Sequence, residues 1–150
     1  MQLDFTGELT EEHKKEMSRH GNFSQDHIVD HYNELCSHYE QIYLRVGFHD
    51  PLRCAELAKF YLENSTETSE ILDMGCGTGL VGKYLSDKGF KKIVGIDASA
   101  GMLSKAGEKG IYSELHELFL GQPKTFPDEF RNRFNGLTAS GILAEGHLDN

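Results

Sequence analysis

A chain of 150 residues, 38% apolar and 26% charged, suits one globular domain and is too hydrophobic to be disordered by composition. Its 15 Lys and Arg against 24 Asp and Glu leave a net charge of −9, which repels phosphate backbones and anionic membrane surfaces. The basic pairs Lys14–Lys15 and Lys91–Lys92 are isolated, so the composition argues against a nucleic-acid or membrane partner.

Residues 1–24 read as a polar leader with one short helix capped by Thr10 and interrupted at Gly21–Asn22. Residues 25–150 read as the domain proper. A helix is expected from about Gln25 to Val46, where Ile28, Tyr32, Leu35, Tyr39, Ile42 and Val46 recur at steps of three or four. Gly47 can end it. Asp50 is then expected to cap a further helix with Pro51 in its first turn and with Ala55, Leu57, Ala58, Tyr61 and Leu62 as its apolar residues. After the polar connector 64–69 the rhythm changes. Ile71–Met74 predicts a strand, 80–88 a helix, 92–97 a second strand, and 99–109 a second helix opened by Ser99. A weaker third strand is expected at 115–120, a loop over 123–135, and a fourth strand at 134–140. Strands alternating with helices imply parallel pairing through crossovers, hence a Rossmann-like α/β sheet of order 3-2-1-4 flanked by helices, with an N-terminal helical extension.

The segment Ile71-Leu-Asp-Met-Gly-Cys-Gly-Thr-Gly-Leu-Val-Gly82 carries the chemistry. Gly75, Gly77 and Gly79 fall where a strand must turn sharply into a helix, and glycine there permits positive φ and close approach of a ligand. Asp97, at the end of the next strand, can accept hydrogen bonds from the two hydroxyls of a ribose. Asp73, near the end of the first strand, can bind an ammonium group directly or through water. Gly77–Gly82 also satisfies the dinucleotide pattern G-x-G-x-x-G, but Gly75 and Cys76 intervene after the strand and Asp73 would repel a pyrophosphate. A ligand with an amino group and no phosphate fits better. Cys76 belongs to the candidate cofactor-binding set by its place in the turn. The nearby acid raises its thiol pKa, so it packs as a small residue and is no nucleophile.

Asp73-Met-Gly-Cys-Gly-Thr-Gly79 resembles motif I of class I S-adenosylmethionine-dependent methyltransferases, and Ile96-Asp97-Ala-Ser-Ala-Gly-Met102 resembles their second motif. The runs Gly110–Leu115, Leu120–Pro123 and Phe134–Leu143 are similar to the methyltransferase-like proteins named for the Williams–Beuren syndrome chromosome region. The resemblance implies S-adenosylmethionine as cofactor, with Gly75, Gly77 and Gly79 under its methionine part and Asp73 near its amino group. It further implies Asp97 on the ribose and Ala98 and Met102 on the adenine. Tyr32 and Tyr39 stand where such enzymes carry Tyr-Asp pairs on a covering helix, but Asn33 and Glu40 replace the acids here. Gln122 is the candidate for the adenine amino group, and His147 the best-placed candidate base; a solvent-exposed terminal histidine is the plainer reading of the latter.

A full class I sheet resembles seven strands, and only four can be placed, so the C-terminal strands are expected to be missing and the chain to be a truncated form. The fourth strand would then be an exposed edge open to self-association. Two readings stand beside methyl transfer to a small-molecule acceptor: a non-catalytic cofactor-binding or interaction fragment, and an NAD-binding oxidoreductase domain. His27 and His31, four apart on the first long helix, are read as a solvated face, so no metal site is expected. Cys36, Cys54 and Cys76 lack disulfide or ligand spacing, the start of the chain lacks a basic and apolar leader, and no apolar run nears the roughly 18 residues of a membrane span. Together these predict a cytoplasmic protein.

Overall fold

The computed structural model describes residues 10–11, 14–15, 25–120, 124 and 126–142. Three helices come first: α1 (Gln25–Leu35), α2 (Tyr39–Arg45) and α3 (Asp50–Tyr61). The alternating part follows as β1 (Glu70–Met74), α4 (Leu80–Asp87), β2 (Lys92–Asp97), α5 (Ala100–Glu108), β3 (Glu114–Glu117) and β4 (Gly136–Ala139). All strand pairs are parallel and the order is β3-β2-β1-β4, as the alternation of strand and helix predicts.

Both faces of the sheet are covered, which is why β1 and β2 read as continuous apolar runs. Neighbouring residues of β1 point to opposite faces. Ile71 joins Ala55 of α3, Val81 and Leu85 of α4, Phe90 and Ile93 on one side, while Leu72 joins Val94, Ile96 and Phe130 on the other. In register, Asp73 stands beside Gly95 of β2 and Thr138 of β4. At the opposite end of the strands, Arg133 bridges Glu70 of β1 and Glu114 of β3, and its hydrogen bond, then that of His116, holds the Glu114 carboxyl down at about 2.

Four local expectations are corrected. The helix expected over 25–46 is two helices, because the chain turns at Cys36–His38; Cys36 and Ser37 are poor helix formers, and the His38 amide donates to the Leu35 carbonyl at 2.9 Å. Asp50 does not cap α3: His49 holds that position and Asp50 lies in the first turn beside Pro51. Ala55 faces inward from α3, whereas Leu57 and Tyr61 are exposed. His31 is buried rather than solvated, beside Ile28 and Leu35, although His27 is exposed. The expected leader helix is described only where the Lys14 amide donates to the Thr10 carbonyl. Among the described residues no helix is long and apolar enough to cross a membrane, and no group of three His, Cys, Asp or Glu could hold a metal.

Candidate cofactor site

The glycine turn between β1 and α4 is built from backbone positions only glycine takes readily. Gly75, Gly77 and Gly79 have φ of +64°, +54° and +91°, and Gly79 occupies the N-cap of α4. The turn is tied down on both sides. The Cys76 amide donates to the Ile96 carbonyl of β2 at 2.9 Å, and the Gly79 amide donates to the Cys76 carbonyl at 2.9 Å.

Asp97 completes the closure from the end of β2. Its Oδ2 accepts from the Gly77 amide at 2.8 Å and its Oδ1 from the Ser99 amide at 2.9 Å. A carboxylate offers about four acceptor sites, so Asp97 keeps acceptor capacity beside these bonds. Burial raises its pKa, and the backbone bonds from Ser99, Gly77 and Ala98 oppose the shift. Ser99 caps α5 by accepting from the Met102 amide at 3.1 Å, as its place in the sequence predicts.

Asp97 and the turn open onto a cleft enclosing about 690 Å³ between atoms, part of it open to solvent. Gly75, Gly77, Asp97, Ala98 and Met102 line it, as do Tyr32 and Tyr39. Ile28 and Val29 of α1 add an apolar wall; Leu118, Phe119 and Leu120 enter after β3; Ser140, Gly141 and Ile142 enter after β4. These last six follow from the rule that ligands sit beyond the carboxyl ends of parallel strands, although no motif marks them. A Cβ at Gly77 would meet nothing within 4 Å, so this glycine faces open space, whereas one at Gly75 would strike Ile142 Cγ2 at 2.1 Å. No Lys, Arg or His is among the described lining residues.

Three sequence candidates lie outside that lining. Asp73 is buried, with Oδ2 accepting from the Tyr112 hydroxyl at 2.7 Å and Oδ1 from the Thr138 hydroxyl at 3.0 Å. Burial pushes its carboxyl up to about 7 against those two bonds. Cys76 is buried beneath the turn, and burial and then Asp73 raise its thiol far above the usual range. Gly79 serves packing, since a Cβ there would press on Tyr112 and Ala106. Gln122 and His147 lie outside the described residues.

The covering wall is aromatic. Tyr39 and Tyr43, one turn apart on α2, stack with ring centroids 4.3 Å apart, and Tyr32 stands 6.3 Å from Tyr39. Burial, then the Asp97 charge, pushes the Tyr32 hydroxyl up to about 12. Beside it Asn33 supplies the polar contact of α1: its Oδ1 accepts from the Ser99 hydroxyl at 2.7 Å and from the Gly101 amide at 2.9 Å. An amide in place of an acid still pins α1 to the start of α5.

Residues 71–143 match the methyltransferase-domain family. The match takes in the glycine turn, Asp97 and the start of the segment after β4. The chain is 29% identical over 143 residues to human methyltransferase-like protein 27, covering 95% of this chain and 57% of that protein. It is 28% identical to the dTDP-3-amino-3,6-dideoxy-alpha-D-glucopyranose N,N-dimethyltransferase of Streptomyces fradiae, covering 80% of this chain and 44% of the enzyme. The chain thus spans about half the length of these two relatives. The plantazolicin methyltransferase BpumL, solved in complex with SAH, superposes with a TM-score of 0.55 at 22% identity, covering 86% of this chain and 49% of that one. The chain therefore shares the fold of that solved structure, with the glycine turn at the carboxyl edge of the sheet.

Proposed function

We propose that the chain binds S-adenosylmethionine in this cleft and serves methyl transfer to a small-molecule acceptor. The observation that carries the reading is the pairing of Asp97 with Gly77: a carboxylate with acceptor capacity left faces a glycine that leaves open space, in a cleft with no Lys, Arg or His among its described lining residues. A ribose diol and a phosphate-free nucleoside fit that arrangement, whereas a dinucleotide would bring a pyrophosphate to a lining whose described residues offer it no cation. The methyltransferase-domain match points the same way.

When bound, S-adenosylmethionine supplies an electrophilic methyl group on its sulfonium. The residues act by holding and orienting. Asp97 would hold the ribose, Ala98 and Met102 would seat the adenine, and Gly75 and Gly77 would admit the methionine part close to the backbone. Tyr32 and Tyr39, with Ile28 and Val29, would shield the cleft from water. Alignment of an acceptor contributes most of the remaining rate, and the need for a general base depends on the acceptor. The net charge of −9 disfavours polyanionic acceptors, and the amino-sugar substrate in the name of the Streptomyces relative supports a small one. The runs Gly110–Leu115 and Phe134–Leu143 support a place near the Williams–Beuren methyltransferase-like subgroup.

Calorimetric titration with S-adenosylhomocysteine and, separately, with NAD tests the reading. Saturable binding of the first with none of the second is expected; binding of NAD alone would overturn it. Incubation of the chain with methyl-labelled cofactor and a metabolite mixture then tests transfer, and binding without transfer would favour a non-catalytic module.

A further inference from the structure

The third glycine of the G-x-G-x-x-G run faces the protein interior. Gly82 is buried in the first turn of α4, and a Cβ built there would lie 2.3 Å from the Tyr112 hydroxyl and 2.4 Å from its Cζ. The same ring limits two more glycines: a Cβ at Gly79 would come 3.0 Å from Tyr112 Cε2, and one at Gly95 would come 2.9 Å from Cε1. Turn, helix and β2 thus each give up a side chain to form one slot, which a single ring fills. At the end of the slot the hydroxyl donates to Asp73, the acid from which the turn departs.

The groups around Asp73 make that bond matter. Tyr112 and the Thr138 hydroxyl donate to it, the Gly82 amide favours its ionised form, and Asp97 opposes ionisation across the turn. Cys54 of α3 and Cys76 of the turn feel the Asp73 charge in return. Burial, then Asp73 itself, raises the Tyr112 pKa well above its usual value, so the phenol keeps its proton and stays a donor.

We propose that Tyr112, outside the glycine motif, is a positioning residue for cofactor binding: its ring sets the spacing of α4, β2 and the turn, and its hydroxyl fixes Asp73. The functional half of this proposal rests on reading the cleft as an S-adenosylmethionine site, while the pairing with Asp73 does not.

Tyr112→Phe keeps the ring and removes only the donor. In ligand-free protein the lost bond lets burial raise Asp73 further. An acid whose folded pKa is raised binds a proton that the unfolded chain lacks, so stability falls as pH climbs from the unfolded value of roughly 4 through the folded one. In the variant the upper end of that interval is expected to move to higher pH, read from urea midpoints between pH 5 and 9. At pH 8 its affinity for S-adenosylhomocysteine is expected to drop roughly threefold to tenfold. A wild-type pH interval in the variant overturns the pairing, and a shifted interval with wild-type affinity overturns the positioning role. Should the unsubstituted chain bind no S-adenosylhomocysteine, the cofactor reading and the positioning role fail together, while the pH interval still decides the pairing. If Tyr112→Phe does not fold, Tyr112→Phe with Asp73→Asn removes the stranded charge and is expected to restore folding; failure to do so overturns the pairing.

Discussion

Asp97→Asn separates the two duties of that residue. Asparagine keeps the size and one acceptor, but its second terminal atom becomes a donor facing either the Gly77 or the Ser99 amide, now 2.8 and 2.9 Å from the carboxylate. One part-buried N–H left unpaired costs about 1–3 kcal/mol. Against this, burial outweighs the three backbone bonds in setting the Asp97 pKa, so a neutral side chain is relieved of that desolvation. The two effects oppose, and the folded state is expected to stay within about 1 kcal/mol of wild type. Cofactor binding has no such offset. A ribose diol that loses a charged acceptor loses about 1.5–3 kcal/mol, or roughly 10- to 150-fold in affinity. Thermal melts and calorimetric titration with S-adenosylhomocysteine measure the two quantities on the same sample. A variant that melts like wild type and binds within twofold of it would remove Asp97 from the site.

Gly77→Ala and Gly82→Ala should fail in opposite ways. The first meets open space, so it costs only the strain of φ +54°, about 1–2 kcal/mol, and should lose S-adenosylhomocysteine binding while still folded. The second drives a methyl group into the Tyr112 hydroxyl and should lose about 1–3 kcal/mol of stability with a smaller loss of binding; equal affinities for the folded pair would contradict the assignment. Asp73→Asn removes a group raised to about 7, so wild-type stability should fall relative to the variant as pH rises from 5 to 8, and a pH-independent difference in urea midpoints would refute it. Asn33→Ala removes the acceptor shared by the Ser99 hydroxyl and the Gly101 amide, costing about 1 kcal/mol and weakening hydrogen-exchange protection in α1; unchanged protection there would show that α1 is held by its apolar face alone.

The sheet was legible because its signals are local. Buried parallel strands show as short apolar runs, the glycine turn marks the first crossover, and Ser99 caps α5 through its own side chain. The N-terminal helices were less legible. Apolar spacing runs unbroken from Ile28 to Val46 because α1 and α2 both face the cleft, so periodicity cannot register the turn at Cys36–His38. The helical period of α3 is weak, and its burial is decided by contact of Ala55 with α4 rather than by the larger Leu57 and Tyr61. Within the site, residues whose role follows from backbone position could be named, among them Gly77, Asp97, Ala98 and Met102. Leu118–Leu120 and Ser140–Ile142 could not, since they matter only because β3 and β4, the two edge strands, end at the same rim of the sheet.

The same difference bears on the choice between a dinucleotide and a sulfonium nucleoside. In a dinucleotide fold the glycines of G-x-G-x-x-G answer to separate demands: a tight turn, the approach of the backbone to a pyrophosphate, and close packing of helix on strand. Here too they divide the work. Gly77 opens toward the cleft, while Gly79 and Gly82 close around Tyr112, a residue thirty positions beyond Gly82 in the chain. A spacing pattern records where a side chain is forbidden but not what forbids it. Packing on Tyr112 accounts for Gly82 with either ligand, so the choice rests on Gly75 and Cys76, which separate β1 from the first glycine of the pattern where a dinucleotide turn follows its strand directly.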